Sequence, residues 1–274
     1  NRFRDLMGLK YSLRSLPINA PWVRKVFIVT DSQVPTWFNR SYTKDIHFVF
    51  HDQFFANKSH VPTFNSESIE SNFYNLPDYV GDCFLYFNDD TFTNNKIYPS
   101  DFYSKETGQA IYFNLWKSPQ EPEILAKSSW HKAIDYTNKL MNSIWGDAER
   151  HYNSHTIIMY NKKVLKLMQK TFPKEFALTS ANPYRTATEV NLGFMYSHFV
   201  KRFYKTFEPT TNILQYHALQ DDVEKMDKAF KSIISKRAKT VCLNDELGEP
   251  ANATVIEHLM TMFETLFPVK PEWE

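Results

Sequence analysis

The tripeptide Asn88-Asp89-Asp90 closes the apolar run Phe84-Leu-Tyr-Phe87. Adjacent carboxylates beside an amide make an oxygen-rich cluster suited to a hard cation such as Mg²⁺ or Mn²⁺. Such an ion, held by one or two carboxylates and the substrate's phosphates, is the usual arrangement on a diphosphate. The same tripeptide is also ordinary turn chemistry after a strand. Two other apolar runs end in acids, at Asp31 and Asp52. In a parallel sheet the carboxyl ends of strands share one edge, where ligands bind, although each acid also serves as a plain turn residue. Asp52 is read that way. Glu70, within Phe64-Asn-Ser-Glu-Ser-Ile-Glu-Ser-Asn72, can act as a base or accept a hydrogen bond from a sugar hydroxyl; it can equally complement a helix dipole.

His151 and His155 stand four apart, a spacing that on a helix would put both on one face as a metal pair. No Glu follows the first His as a zinc motif requires, and no Cys is near. A single His working as acid or base is therefore the better functional reading, beside a purely structural role. Arg185 and Glu189 are also four apart. They read either as a helical ion pair of roughly 0.3 kcal/mol or as a site in which Arg185 clamps a phosphate bidentately.

These residues need elements to hold them. The leucines at 6, 9, 13 and 16 predict a helix that stops before Pro17. Lys25–Asp31, Asp45–Asp52 and Asp82–Asp90 read as strands, and Ser66–Leu76 as a short helix. Strands alternating with helix-length segments imply a βαβ-type sheet. Residues 96–113 carry short strand-like pieces, and the Pro-, Glu-, Lys- and Ser-rich stretch 117–129 reads as a loop or insertion. Helical periodicity then covers 130–144, 156–172, 188–207, 220–238 and 253–267. The expected fold is α/β, with a mostly parallel core over about residues 1–113 and a large helical portion over 130–274. No linker divides it, so 1–274 reads as a single catalytic domain.

Composition narrows the function. The 274 residues carry 32 Lys+Arg against 31 Asp+Glu, a net charge of +1, which argues against a general affinity for nucleic acid. A hydrophobic fraction of 42% and an aromatic fraction of 16%, with only 6 Gly, exclude disordered and collagen-like classes. No apolar run is long enough to span a bilayer. Two cysteines, Cys83 and Cys242, allow at most one disulfide. The chain begins at Asn1 with no signal peptide, as a piece cut from a longer protein would.

Taken in order, the motifs resemble the Stealth family. Leu9-Lys-Tyr-Ser-Leu-Arg-Ser15, Ala20-Pro-Trp-Val-Arg-Lys-Val-Phe-Ile-Val-Thr30, Val61-Pro-Thr-Phe-Asn-Ser66, Ile69-Glu-Ser-Asn72 and Phe84-Leu-Tyr-Phe-Asn-Asp-Asp90 are similar to its second homology block. His155 with the segment after it, Phe172-Pro-Lys-Glu-Phe176 and Arg185 resemble the third. Val241-Cys-Leu-Asn-Asp245 and Leu266-Phe-Pro268 resemble the fourth. The family comprises sugar-phosphate transferases, among them the enzyme that tags lysosomal proteins with N-acetylglucosamine-1-phosphate and bacterial capsule-polymer phosphotransferases.

The resemblance implies a UDP-sugar donor, Mg²⁺ or Mn²⁺, and transfer of sugar-1-phosphate to a hydroxyl of a glycan or glycoprotein acceptor with release of UMP. It places Asp89 and Asp90 at the metal and diphosphate, Glu70 near the sugar, His155 as acid or base and Arg185 on phosphate. Asn72, Asn88, Asn244 and Asp245 become substrate-binding candidates. Two other readings use the same residues: a metal-dependent glycosyltransferase releasing UDP, and a non-catalytic nucleotide-sugar or carbohydrate-binding module. The family's first block, expected upstream of Asn1, is missing, so the donor pocket is expected to be incomplete and the fragment alone can be inactive. A membrane-anchored parent and a homo-oligomer are compatible with the resemblance. The compartment follows the source: the secretory pathway (Golgi) in a eukaryote, the cytoplasm or membrane surface in a bacterium.

Overall fold

A computed structural model describes residues 4–210 and 213–274. Helix α1 (Gly8–Asn19) turns Tyr11, Ser12, Leu13 and Ser15 inward, and it continues through Pro17 where the spacing predicts a stop. Pro17 lies in the last turn, and Ala20 N still donates to Leu16 O, so the proline removes one bond without ending the helix. Strands β1 (Val26–Thr30) and β2 (Ile46–Phe50) pair in parallel, as their apolar runs suggest. After α2 (His51–Phe54) comes α3 (Ser66–Glu70), started by the Asn65 side chain accepting from Glu67 N. It does not reach Leu76, because a 3₁₀ turn at Phe73–Asn75 takes over.

The predicted strand at 82–90 is β3 (Cys83–Tyr86), followed by a turn that carries the acids and by β4 (Thr91–Thr93). Next come β5 (Tyr103–Ser104), β6 (Gly108–Ala110) and β7 (Phe113–Ser118). The stretch read as a loop contains α4 (Pro122–Lys127), and α5 (Ser129–Trp145) follows. The C-terminal part is not purely helical. It contains β8 (Arg150–Asn153), β9 (Ile158–Asn161), α6 (Lys162–Thr171), α7 (Pro173–Ala181) and α8 (Leu192–Phe203). After these lie β10 (Thr206–Phe207), β11 (Leu214–Leu219), α9 (Val223–Lys236), β12 (Thr240–Asp245) and α10 (Ala253–Leu266).

The mostly parallel core is corrected by the pairing. Among the described residues only β1–β2, β11–β12 and the short β6–β10 ladder are parallel. β3 runs antiparallel to β9, β4 antiparallel to β12, β7 to β8 and β5 to β6. The architecture is mixed α/β built from small sheets. The misreading began at 156–172, whose continuous apolar character suits either a helix or a buried strand. Met159 and Tyr160 pair with Leu85 and Phe84, and Asn161 caps α6 through Lys163 N, so the helix starts at Lys162.

Four apolar clusters result among the described residues, two of them large. Phe73, Tyr160, Met168, Phe194, Tyr196 and Phe199 pack between the β3–β9 ladder and the helices α6 and α8. Tyr11, Phe92, Phe230, Val241, Val255 and Phe263 join α1, β4 and β12 to α9 and α10. Buried Arg14 on α1 adds an ionic tie to the C-terminal segment, pairing with Glu274 and Glu264 and donating to Phe267 O at 2.8 Å. Serine side chains lock α1 to β4: Ser12 Oγ donates to Thr91 O at 2.7 Å, and Ser15 Oγ meets Thr93 Oγ1 at 2.7 Å. Among the described residues no helix is long and apolar enough to cross a membrane.

Candidate functional site

The turn after β3 brings Asn88, Asp89 and Asp90 to the edge of β12. Leu243 N donates to Asp90 O at 2.9 Å, which fixes the backbone of the acid. The Cys242 thiol donates to Asp90 Oδ2 at 3.3 Å, and Thr91 Oγ1 donates to Oδ1 at 3.3 Å. His155 arrives from the turn between β8 and β9, with Nε2 at 3.6 Å from Asp90 Oδ2 and 2.9 Å from Asn88 Nδ2. The Asn88 amide nitrogen is a donor, so in this contact Nε2 stands where it accepts. Tyr216 of β11 meets the imidazole edge-on with centroids 6.4 Å apart. Asp90 and His155 retain 23% and 38% side-chain exposure, so both reach solvent.

Asp89 is exposed, more so than Asp90. Desolvation by the surrounding chain, and then the Asp90 charge, hold its carboxyl above the usual range; Asp5 adds a further negative charge nearby. The N-terminus of α1 explains the crowding. A Cβ on Gly8 would stand 2.8 Å from Asp89 O, so only glycine lets the helix come this close to the acid turn. Arg4, just before α1, pairs with Asp245 at 3.0 Å and donates to Gly248 O at 2.7 Å. Asp245 thus anchors the chain that leads into α1. Asn244 donates to Glu246 Oε1 at 3.1 Å.

Glu70 and Arg185 form a second group. Tyr86, at the end of β3, donates its hydroxyl to Glu70 Oε1 at 3.0 Å and also feels the charge of Asp89, which links the two groups. Arg185 Nη2 donates to Ser66 Oγ at 2.7 Å, while its Nε is buried with no hydrogen-bond partner among the described residues. Burial raises the Glu70 carboxyl, opposed by the Tyr86 hydrogen bond and the Arg185 charge. Burial also raises Glu67, with the Glu70 charge adding to it. Glu67 accepts from Asn191 Nδ2 at 2.9 Å, and fully buried Glu189 accepts from Asn65 Nδ2 at 2.8 Å and Asn182 Nδ2 at 3.0 Å.

The expected residues thus fall into place unevenly. Asn88, Asp90 and His155 come together; Glu70 and Arg185 lie beyond Tyr86. Asn72 is inside the protein, its amide occupied by Ala56 N, Ser68 O and Ser180 Oγ. His151 sits on strand β8 with Nδ1 at 2.9 Å from Asn114 O, so no helical face pairs it with His155. Arg185 and Glu189 do not share a helix either. Cys83 and Cys242 are both free thiols. Sequence reading passed over Cys242, Tyr86, Tyr216, Glu67 and Gly8. The usable signal was the polar end of the apolar run Val241–Leu243, which marks a strand able to face the acid turn.

Models of Stealth protein conserved regions 2, 3 and 4 match residues 2–111, 154–202 and 231–274. An exopolysaccharide phosphotransferase, CpsY, of Mycobacterium tuberculosis is 30% identical over 284 residues, covering 100% of this chain and 51% of that protein. Another exopolysaccharide phosphotransferase, SCO6021 of Streptomyces coelicolor, is 27% identical with 100% and 50% covered. The N-acetylglucosamine-1-phosphotransferase subunits alpha/beta of Mus musculus are 40% identical over 143 residues, 52% of this chain and 11% of theirs. The chain spans about half the length of the curated bacterial relatives it matches. With three conserved regions of one family matched in order along the sequence, the chain belongs to the Stealth protein family.

Proposed function

We propose that the protein transfers sugar-1-phosphate, N-acetylglucosamine-1-phosphate first among candidates, from a UDP-sugar to a hydroxyl of a glycan acceptor, releasing UMP. The observation that carries the reading is the meeting of Asn88 and Asp90, from the turn after β3, with His155, from the turn between β8 and β9, beside a second group in which Tyr86 and Arg185 act on Glu70. The relatives' names, exopolysaccharide phosphotransferase and N-acetylglucosamine-1-phosphotransferase, support the reaction class.

The residues fit a divalent cation: Asp90 is half-exposed, Asp89 has a carboxyl destabilised as an anion, and Asp5 adds charge. Asp89 and Asp90 would hold Mg²⁺ or Mn²⁺, which when bound offsets charge on the donor diphosphate. His155, partly exposed beside Asp90, takes the proton of the acceptor hydroxyl at Nε2. Asn88 orients the ring. Arg185, with a buried and unpartnered Nε, meets the phosphoryl oxygens. Glu70, held by Tyr86, accepts a sugar hydroxyl. Residues 1–274 act as one catalytic domain in this reading.

The test is incubation with a panel of UDP-sugars, Mg²⁺ or Mn²⁺ and a glycan acceptor, with separation of the nucleotide products. UMP supports phosphosugar transfer; UDP would move the chain to the glycosyltransferases. Asp90→Asn is expected to abolish turnover, by about 10³-fold or more, while the unfolding midpoint stays within a few degrees. Near-normal turnover in that variant would refute the metal assignment.

A further inference from the structure

We propose that Asp90, His155 and Cys242 form a three-ligand site for a thiophilic divalent cation, Zn²⁺ being the chemistry it fits. The ligand atoms all lie within 4.8 Å of one another. A tetrahedral zinc with sulfur at about 2.3 Å and nitrogen or oxygen at about 2.0 Å sets its ligands roughly 3.3 to 3.5 Å apart. Asp90 Oδ2 already stands 3.6 Å from His155 Nε2 and 3.3 Å from Cys242 Sγ, so only the imidazole–thiol pair has to close up. Three protein donors leave one position for water or a substrate oxygen.

The donor set discriminates between metals. A hard cation uses carboxylates and phosphates and gains little from a thiol, whereas imidazole and thiolate together select zinc-like ions. Cys242 is buried on β12, while Asp90 and His155 beside it keep 23% and 38% side-chain exposure, so the solvent-reaching donors lie next to the buried thiol. The imidazole is already arranged with Nε2 as acceptor, and the metal takes over the contact that Asn88 Nδ2 now makes. On binding, the S–H bond breaks, a Zn–S bond forms and the proton leaves to solvent. The thiophilic ion occupies Asp90, so it excludes the hard cation, and Zn²⁺ inhibits the sugar-phosphate transfer proposed above. The site itself rests on geometry and stands independently of that reaction.

Co²⁺ is the probe. Added to the protein, it is expected to give a thiolate-to-cobalt charge-transfer band in the near ultraviolet together with tetrahedral d–d absorption, and Zn²⁺ bleaches both. Cys242→Ser removes the near-ultraviolet band and weakens Zn²⁺ binding by about tenfold or more. Cys83→Ser, which alters the exposed thiol, leaves the band intact. Far-ultraviolet circular dichroism verifies that each variant is folded. The wild-type spectrum decides the matter even if Cys242→Ser fails to fold. Absence of a thiolate band in the wild-type protein, or its loss with Cys83→Ser, overturns the site; either result leaves the transferase reading to its own product test.

Discussion

Replacing Gly8 with Ala adds one methyl group next to the acid turn. The new Cβ would sit 2.8 Å from Asp89 O, short of the 3.4 Å where ordinary contact begins, leaving about 0.6 Å to be absorbed. The helix cannot slide away, because Ser12 and Ser15 tie it to β4 and Arg14 ties it to Glu274. The displacement therefore passes into Asp89 and Asp90. A shift of about 1 Å in a reacting group can lower rates about 100-fold, so roughly 0.6 Å predicts a ten- to hundred-fold loss in kcat/KM, about 1.4 to 2.7 kcal/mol. Overpacking alone destabilises by about 1–3 kcal/mol, partly offset by up to about 1 kcal/mol from the better helix propensity of Ala. Activity is thus expected to suffer more than stability. The assay is nucleotide release at varied Mg²⁺, with the half-saturating Mg²⁺ concentration expected to rise. Gly146→Ala at the end of α5 is the control: its φ of +84° strains an added Cβ, but no atom lies within 4 Å. Wild-type kcat/KM and metal dependence in Gly8→Ala would refute the idea that this contact sets the acid turn.

Three further outcomes are expected. Glu67 binds its proton more tightly folded than unfolded, so its contribution to stability is lost as pH rises from the ordinary carboxylate value to the elevated one. Glu67→Gln, which keeps an acceptor for Asn191, should make denaturant-unfolding stability flatter over that window and higher than wild type at alkaline pH. His198 is lowered to about 4, chiefly by burial, with its Nε2 donating to His151 O at 2.9 Å. Its contribution is full above the unfolded value near 6.5 and is lost as pH falls toward 4, roughly 3 kcal/mol in all; His198→Gln should shrink that acid limb in urea titrations. Arg185→Lys removes the planar fork and is expected to lower kcat/KM about 10- to 100-fold, while the unfolding midpoint changes little.

The chemistry was more legible than the scaffold. Acids at the end of an apolar run announce themselves, and Asp89 and Asp90 do lie in the turn that follows β3. β1 and β2 were equally plain, because five-residue apolar runs bounded by turn residues leave few alternatives. Ile157–Tyr160 was misread because a short apolar run has no periodicity to separate helix from strand; the partner, β3, decides it from over 70 residues away. Cys242 carried no local signal at all. Its meaning comes from the Thr91–Cys242 register, which no local pattern encodes. Asn72 shows the reverse error: its place in a motif suggested ligand contact, yet a side chain 1% exposed spends its amide on the fold.

The antiparallel pairing of β4 with β12 also sets a timetable for the nascent polypeptide. Thr91–Thr93 emerges from the ribosome with its ladder partner about 150 residues from being synthesised, and until Thr240–Cys242 follows, a crowded carboxylate turn hangs beside an unfinished edge. The contact of Asp90 with Cys242 and Leu243 is therefore withheld from every truncated intermediate and forms only when the strand Thr240–Asp245 docks. Premature termination anywhere before that strand would leave the acid turn without the neighbours that hold it.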